Sequence, residues 1–125
     1  MSVSSEPETV VQRQLDAYNA RDIDALMNIY ANDAQLLEHP AKLLAGGAAQ
    51  LRTRFAERFA EPNLHAKLQK RMVMGAIVID HEVVTRTFPE GAGQLELIMI
   101  YEVQGGRIAR AWSIVGPRTL DTSRG

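Results

Sequence analysis

Residues 65–88 read HAKLQKRMVMGAIVIDHEVVTRTF, and residues 94–115 read QLELIMIYEVQGGRIARAWSIV. Both stretches are rich in β-branched and large apolar residues, and each is interrupted near its middle by glycine, at Gly75-Ala76 and at Gly105-Gly106. That pattern predicts four long antiparallel strands, His65–Met74, Ile77–Phe88, Gln94–Val103 and Arg107–Val115, with Gly91-Ala-Gly93 as the loop between the middle two. An even-length hairpin at Gly75-Ala76 pairs Val73 with Val78 and Arg71 with Asp80 on one face. The other face then carries Ala66, Leu68, Lys70, Met72, Ile79, His81 and Val83. Because this second face is the more apolar, it is the one expected to meet the core, although an odd-length loop would change the pairing. Arg71 opposite Asp80 reads as a cross-strand ion pair.

Upstream, the period changes from two to that of a helix. Ser4, Ser5, Glu6, Pro7 and Glu8 supply a hydroxyl cap, an early proline and acids for the positive end of a helix running to about Ala20. Val11, Leu15 and Tyr18 give it one apolar face. Asp22 can cap a second helix through Ile23, Leu26, Met27, Ile29 and Tyr30, ending in a turn at Asn32-Asp33. Two short strands, Ala34–Leu37 and Lys42–Ala45, flank Glu38-His39-Pro40, where proline interrupts any ladder. Gly46-Gly47 releases the chain into a third helix, Ala48 to about Ala60, with Leu51, Phe55 and Phe59 on one face and Arg52, Arg54, Glu57 and Arg58 mostly off it.

The 125 residues have the proportions of one domain, with 46% hydrophobic residues, 14 Lys plus Arg and 15 Asp plus Glu. Its core is expected over 6–116, with 117–125 a polar tail. The absence of cysteine removes thiol catalysis, disulfides and cysteine-ligated zinc. A formal net charge of −1 offers no general attraction for nucleic acid or anionic lipid. No apolar run reaches the roughly 20 residues of a membrane span and the start lacks a secretion signal, so a cytoplasmic protein without membrane attachment is expected. No phosphate loop or other cofactor motif is present, and no cofactor is expected. His81 has Asp80 and Glu82 beside it, but neighbours on a strand face opposite ways. His65 has no partner at ligand spacing, so no metal is expected either.

The order of elements, together with Val10-Val-Gln-Arg, Asn19-Ala-Arg-Asp-Ile-Asp, Tyr30-Ala-Asn-Asp-Ala and Tyr101-Glu-Val-Gln-Gly-Gly-Arg-Ile, resembles the nuclear transport factor 2-like superfamily in its ketosteroid isomerase and SnoaL-like polyketide cyclase branch. The resemblance implies an α+β, cone-shaped (cystatin-like) fold, with three helices packed on a curved, mostly antiparallel sheet of about six strands. It covers about Glu6 to Gly116. Ketosteroid isomerase uses an aspartate base and holds its enolate with a tyrosine and a protonated aspartic acid. The matching positions here are His39, Gln14 and Met99. Methionine cannot donate a hydrogen bond, so a true ketosteroid isomerase is not implied.

Two functional readings follow from the resemblance. One is a cofactor-independent isomerase, cyclase or lyase acting on a small apolar or aromatic carbonyl compound. His39 would be its base and His81 a second acid or base, with Gln14, Tyr18, Tyr30, Phe55, Phe59, Met99 and Tyr101 lining the ligand pocket. His39 reads equally as a loop residue closing a strand, and His81 as a hydrogen-bonded core residue. The other reading is a non-catalytic ligand-binding or dimerisation module of the same fold. In either case Ile98, Ile100, Trp112 and Ile114 fall on the outer face of the sheet, an apolar patch that a second copy of the chain is expected to cover as a homodimer.

Overall fold

The computed structural model describes residues 5–121. Three helices and six strands follow one another as α1 (Pro7–Asn19), α2 (Ile23–Ile29), β1 (Tyr30–Glu38), β2 (Lys42–Gly46), α3 (Ala48–Phe59), β3 (His65–Met74), β4 (Ile77–Phe88), β5 (Gly91–Gln104) and β6 (Arg107–Leu120). The strands form one sheet in the order β2-β1-β6-β5-β4-β3. Only the β1–β6 pairing is parallel; its neighbours run antiparallel. This is the α+β arrangement of three helices against a six-stranded sheet that the sequence implies. No helix among the described residues is long and apolar enough to cross a membrane.

Local chemistry accounts for most boundaries and corrects several. Pro7 and Glu8 occupy the first turn of α1, but the N-cap is Glu6 and makes no side-chain cap bond; Ser4 lies outside the described residues. Asp22 caps α2 as expected, accepting from the Ala25 N–H at 3.1 Å. The expected turn at Asn32-Asp33 does not form, since Tyr30 leaves the helix directly into β1 and pairs with Ile108 of β6. Gly91–Gly93 belongs to β5 rather than to a loop, and Arg118–Leu120 belongs to β6 and pairs with Gly93–Leu95 rather than fraying. The close approach of those strands requires glycine at 93, where a Cβ would lie 2.5 Å from the Thr119 carbonyl oxygen. Gly105 and Gly106, with φ of 59° and 78°, make the two-residue β5–β6 hairpin in a conformation that glycine adopts without strain.

Irregularities in register decide which side chains face inward. On β3–β4 the expected pairs Val73–Val78 and Arg71–Asp80 form, but the register shifts at Gln69, so that Leu68 pairs with Glu82 and Lys70 with His81. This bulge moves Ala66 and Leu68 onto the face of Asp80, Glu82 and Val84, and leaves Lys70, Met72 and His81 on the other. The face expected to be buried is therefore the outer one over most of its length: Asp80 is fully buried, whereas Met72 is 58% exposed. A second shift, at Ala109, turns Ile108 inward to complete burial while Arg110, Trp112 and Ile114 stay outward. Such bulges also bend the sheet into the curve on which α1 and α3 lie.

The core divides in two. Val10, Val11, Leu26, Ile29, Leu51, Val78 and Ile108 pack at one end with Tyr30, Phe55 and Tyr101; Leu15, Leu64, Ala66 and Val84 pack at the other. Two side chains fasten the helical layer to the end of the sheet. The Asn19 amide donates to the Ala66 carbonyl and its oxygen accepts from the Ala66 N–H, both at 2.8 Å, as a neighbouring strand would. Arg21 donates to the carbonyls of Glu61, Pro62 and Leu64.

Candidate functional site

Between the two core clusters the helices and the concave face of the sheet leave a cavity of about 230 Å³. Its wall draws on Tyr30, Phe55 and Tyr101 from one cluster and on Leu15, Ala66 and Val84 from the other, with Leu97 and Met99 of β5 between them. Tyr18 stands at the junction, edge-on to both Phe55 and Phe59.

Three groups give this apolar wall its polarity. The first is Glu82, 4% exposed, projecting from β4 into the cavity. Burial, and then the neighbouring Asp80, push its carboxyl up to about 7, against the opposing pull of Arg71. Arg71 gives Glu82 little relief because it is committed to Asp80, with Nε at 2.7 Å from one carboxylate oxygen and Nη2 at 2.9 Å from the other. Its remaining nitrogen, Nη1, donates to Gln12 at 2.9 Å.

The second group is a buried chain of neutral donors. The Tyr101 hydroxyl donates to Gln14 Oε1 at 3.2 Å, and Gln14 Nε2 donates to the Tyr30 hydroxyl oxygen at 3.4 Å. Burial raises the pKa of Tyr18, Tyr30 and Tyr101 above the usual phenol value, so all three keep their protons at neutrality. Tyr30 is the open end of the chain: it accepts from Gln14 and has its own hydrogen to give.

The third group is cationic. Arg54 and Arg58, one turn apart on α3, and Arg86, inward on β4, contribute to the same wall. Arg86 Nε is buried without a hydrogen-bond partner. Burial, followed by the like charge of Arg58, lowers the Arg86 pKa.

Of the residues singled out from the sequence, Gln14, Tyr18, Tyr30, Phe55, Met99 and Tyr101 line the cavity, and Phe59 stands behind Tyr18 and Phe55. The two histidines are not brought together. His81 lies on the outer face with Nε2 3.1 Å from the Glu96 carboxylate, since β4 alternates without a break and its Asp80, Glu82 and Val84 side is the buried one. His39 is exposed in the turn after β1, where its backbone N–H donates to the Ser113 carbonyl; it is the adjacent Glu38 that reaches the wall. Glu82 and Arg86 lie on the strand face that the sequence pattern gives to solvent, and Arg54 and Arg58 fall off the apolar face of their helix, so the pattern marks none of the four as a cavity residue. The usable signal was spacing, since residues 80, 82, 84 and 86 alternate in step on a strand. Among the described residues no three His, Asp or Glu side chains are grouped as metal ligands.

Comparison with known proteins agrees with this architecture. Residues 11–111 match the SnoaL-like domain model. A cystatin-fold protein from Novosphingobium aromaticivorans superposes with a TM-score of 0.79 at 24% identity, covering 90% of this chain and 99% of that one. IdmH from Streptomyces antibioticus, provisionally assigned as a polyketide cyclase, superposes at 0.74 with 19% identity, covering 88% and 91%. A Sinorhizobium meliloti protein with the same provisional assignment superposes at 0.69 with 25% identity, covering 83% and 92%. No functionally curated protein matches the chain. With four fifths of its length matched by the family model and its fold shared across these structures, the chain belongs to the SnoaL-like family of the nuclear transport factor 2-like superfamily.

Proposed function

We propose that the protein is a cofactor-independent isomerase or cyclase that moves a proton on a small, largely apolar carbonyl compound, with Glu82 as the proton carrier. The observation that carries this reading is the Glu82 carboxyl itself, buried in the wall of an open cavity and pushed up to about 7. An acid–base group works best when its pKa lies near the working pH, where it can both take and return a proton. As the carboxylate, Glu82 removes a proton from the carbon next to the carbonyl, and the electron pair moves onto the carbonyl oxygen. The Tyr30 hydroxyl, at the end of the Tyr101–Gln14–Tyr30 chain, donates to that oxygen as charge develops. The neutral acid then returns its proton, to a different carbon in an isomerisation. In a cyclisation it goes to the alkoxide formed when the enolate attacks a second carbonyl.

Support comes from the SnoaL-like family and from the provisional cyclase assignment of two structural neighbours. The base is Glu82 in this reading rather than His39 or His81, neither of which lines the cavity. The test is proton exchange in D2O, followed by NMR on a panel of small aryl ketones and 1,3-diketones. Exchange catalysed by the wild type should fall about 10²-fold or more in Glu82→Gln and survive His39→Gln and His81→Gln. Its dependence on pH should rise to a plateau through about 7, because the carboxylate is the active form. Exchange that persists in Glu82→Gln would falsify the assignment. Ligand-induced thermal stabilisation with no exchange from any probe would return the protein to the class of non-catalytic binding modules.

A further inference from the structure

We infer that the ligand of this cavity is an organic anion, an apolar body carrying one oxyanion head that is held by Arg54, Arg58 and Arg86. The inference deepens the proposed proton-transfer function by naming its substrate class, and it rests on that reading only for the orientation of the ligand.

The argument starts from how arginines are treated elsewhere in the molecule. Arg52, Arg71, Arg110 and Arg118 each face a carboxylate at 4.0 Å or less, and Arg21 is spent on three carbonyls. Arg54, Arg58 and Arg86 converge on the cavity with no carboxylate at ion-pair distance among the described residues. Their like charges repel, and bringing them together over an apolar wall costs free energy unless something compensates. Arg86 has in part left water already, for its Nε is buried and unbonded, and the face of Phe88 lies 5.6 Å from its guanidinium carbon. A planar guanidinium fork with open donors is the group that best matches a carboxylate or phosphate. The chain as a whole carries a formal charge of −1, so this concentration of positive charge is a local feature and not a basic surface.

The arrangement also orients the ligand. Arg86 and Glu82 stand on the same face of β4 four residues apart, about 13 Å along the strand, and the Tyr18 hydroxyl is within electrostatic range of both and of Arg54 and Arg58. An anion seated on the arginines therefore extends its body past Tyr18 toward Glu82 and the Tyr30 hydroxyl. That places an acidic carbon a short distance along the chain from the charged head, as in a keto acid.

The test is a binding titration by calorimetry with 4-oxo-4-phenylbutanoate, its neutral methyl ester and phenyl phosphate. The acid should bind at least tenfold more tightly than the ester. Arg86→Gln and, separately, Arg58→Gln should each bring the acid-to-ester affinity ratio, measured on the same variant, down to within about threefold of one; the second variant guards against a folding defect at the partly buried Arg86. Phenyl phosphate binding more tightly than the keto acid would identify the head as a phosphate, and the reverse order as a carboxylate; either order supports an anion site. Equal affinity for acid and ester, or a preference for the acid that survives both substitutions, would overturn the inference. Glu82→Gln should bind the acid at least as well as the wild type. A failure of proton transfer is thus separable from a failure of anion recognition.

Discussion

At neutral pH the Glu82 carboxyl is near half-ionised with no cation at ion-pair distance among the described residues, because Arg71 is already engaged by Asp80. The folded-state value of about 7 lies above the ordinary 4.5, so the native state binds a proton there that the unfolded chain releases. Its contribution to stability is complete below pH 4.5 and is lost as the pH rises through 7. The loss is on the order of 3 kcal/mol. Glu82→Gln keeps the shape and removes the titration, so it should be the more stable protein at pH 8 and approach the wild type at pH 5. Urea midpoints at the two pH values check this, and a variant less stable than the wild type at pH 8 contradicts it. In the Asp80–Arg71 pair each charge compensates the other. Asp80 is fully buried, and Arg71→Met strands its charge, for an expected cost of about 3–5 kcal/mol. Arg71→Met combined with Asp80→Leu should recover a large part of that cost, read from the same midpoints.

Asn19 acts on the scale of elements. Its side chain makes both backbone-like bonds to Ala66, so the C-terminal end of α1 pairs with the edge strand β3 as another strand would. Asn19→Ala should cost about 1–3 kcal/mol and raise the exchange rate of the Ala66 amide while leaving β5 amides protected. Protection of Ala66 unchanged in the variant would show that β4 alone holds β3. The elements themselves were largely legible in the sequence: Gly75-Ala76 and Gly105-Gly106 mark two hairpins, and the Asp22 cap and the apolar spacing of Val11 and Leu15 mark the helices. Facing was legible only where alternation is unbroken. On β5 the inward set Leu95, Leu97, Met99 and Tyr101 could be read directly, and the cavity residues among them followed. On β3 the extra residue at Gln69 has no glycine or proline to announce it, and alternation read straight through it puts Ala66 and Leu68 on the face of His81, so that this face looks the more apolar and Glu82 is turned to solvent. Glu82 and Arg86 are hidden for that reason, and Arg54 and Arg58 because they fall off the apolar face of α3.

On the scale of the molecule, the convex face joins Ile98 to Ile114 and Ile100 to Trp112 as cross-strand partners, one contiguous apolar block. We propose that a second copy of the chain covers it. Sedimentation should then give twice 13.8 kDa, falling to a monomer in Ile100→Glu, while a wild-type monomer at micromolar concentration rejects the dimer. The strand order carries a different consequence. β6, the sixth strand to be synthesised, is third in the sheet, between β1 and β5. Until it emerges, the sheet exists as two fragments, β2–β1 and β5–β4–β3, each presenting an unpaired edge. The contacts that unite them join residues near 35 to residues near 111, so that loop closure is long and comes last. A nascent chain ending at Gln104 therefore holds two unjoined parts of the sheet, and the open edges of β1 and β5 are what a chaperone or an aggregating neighbour would meet.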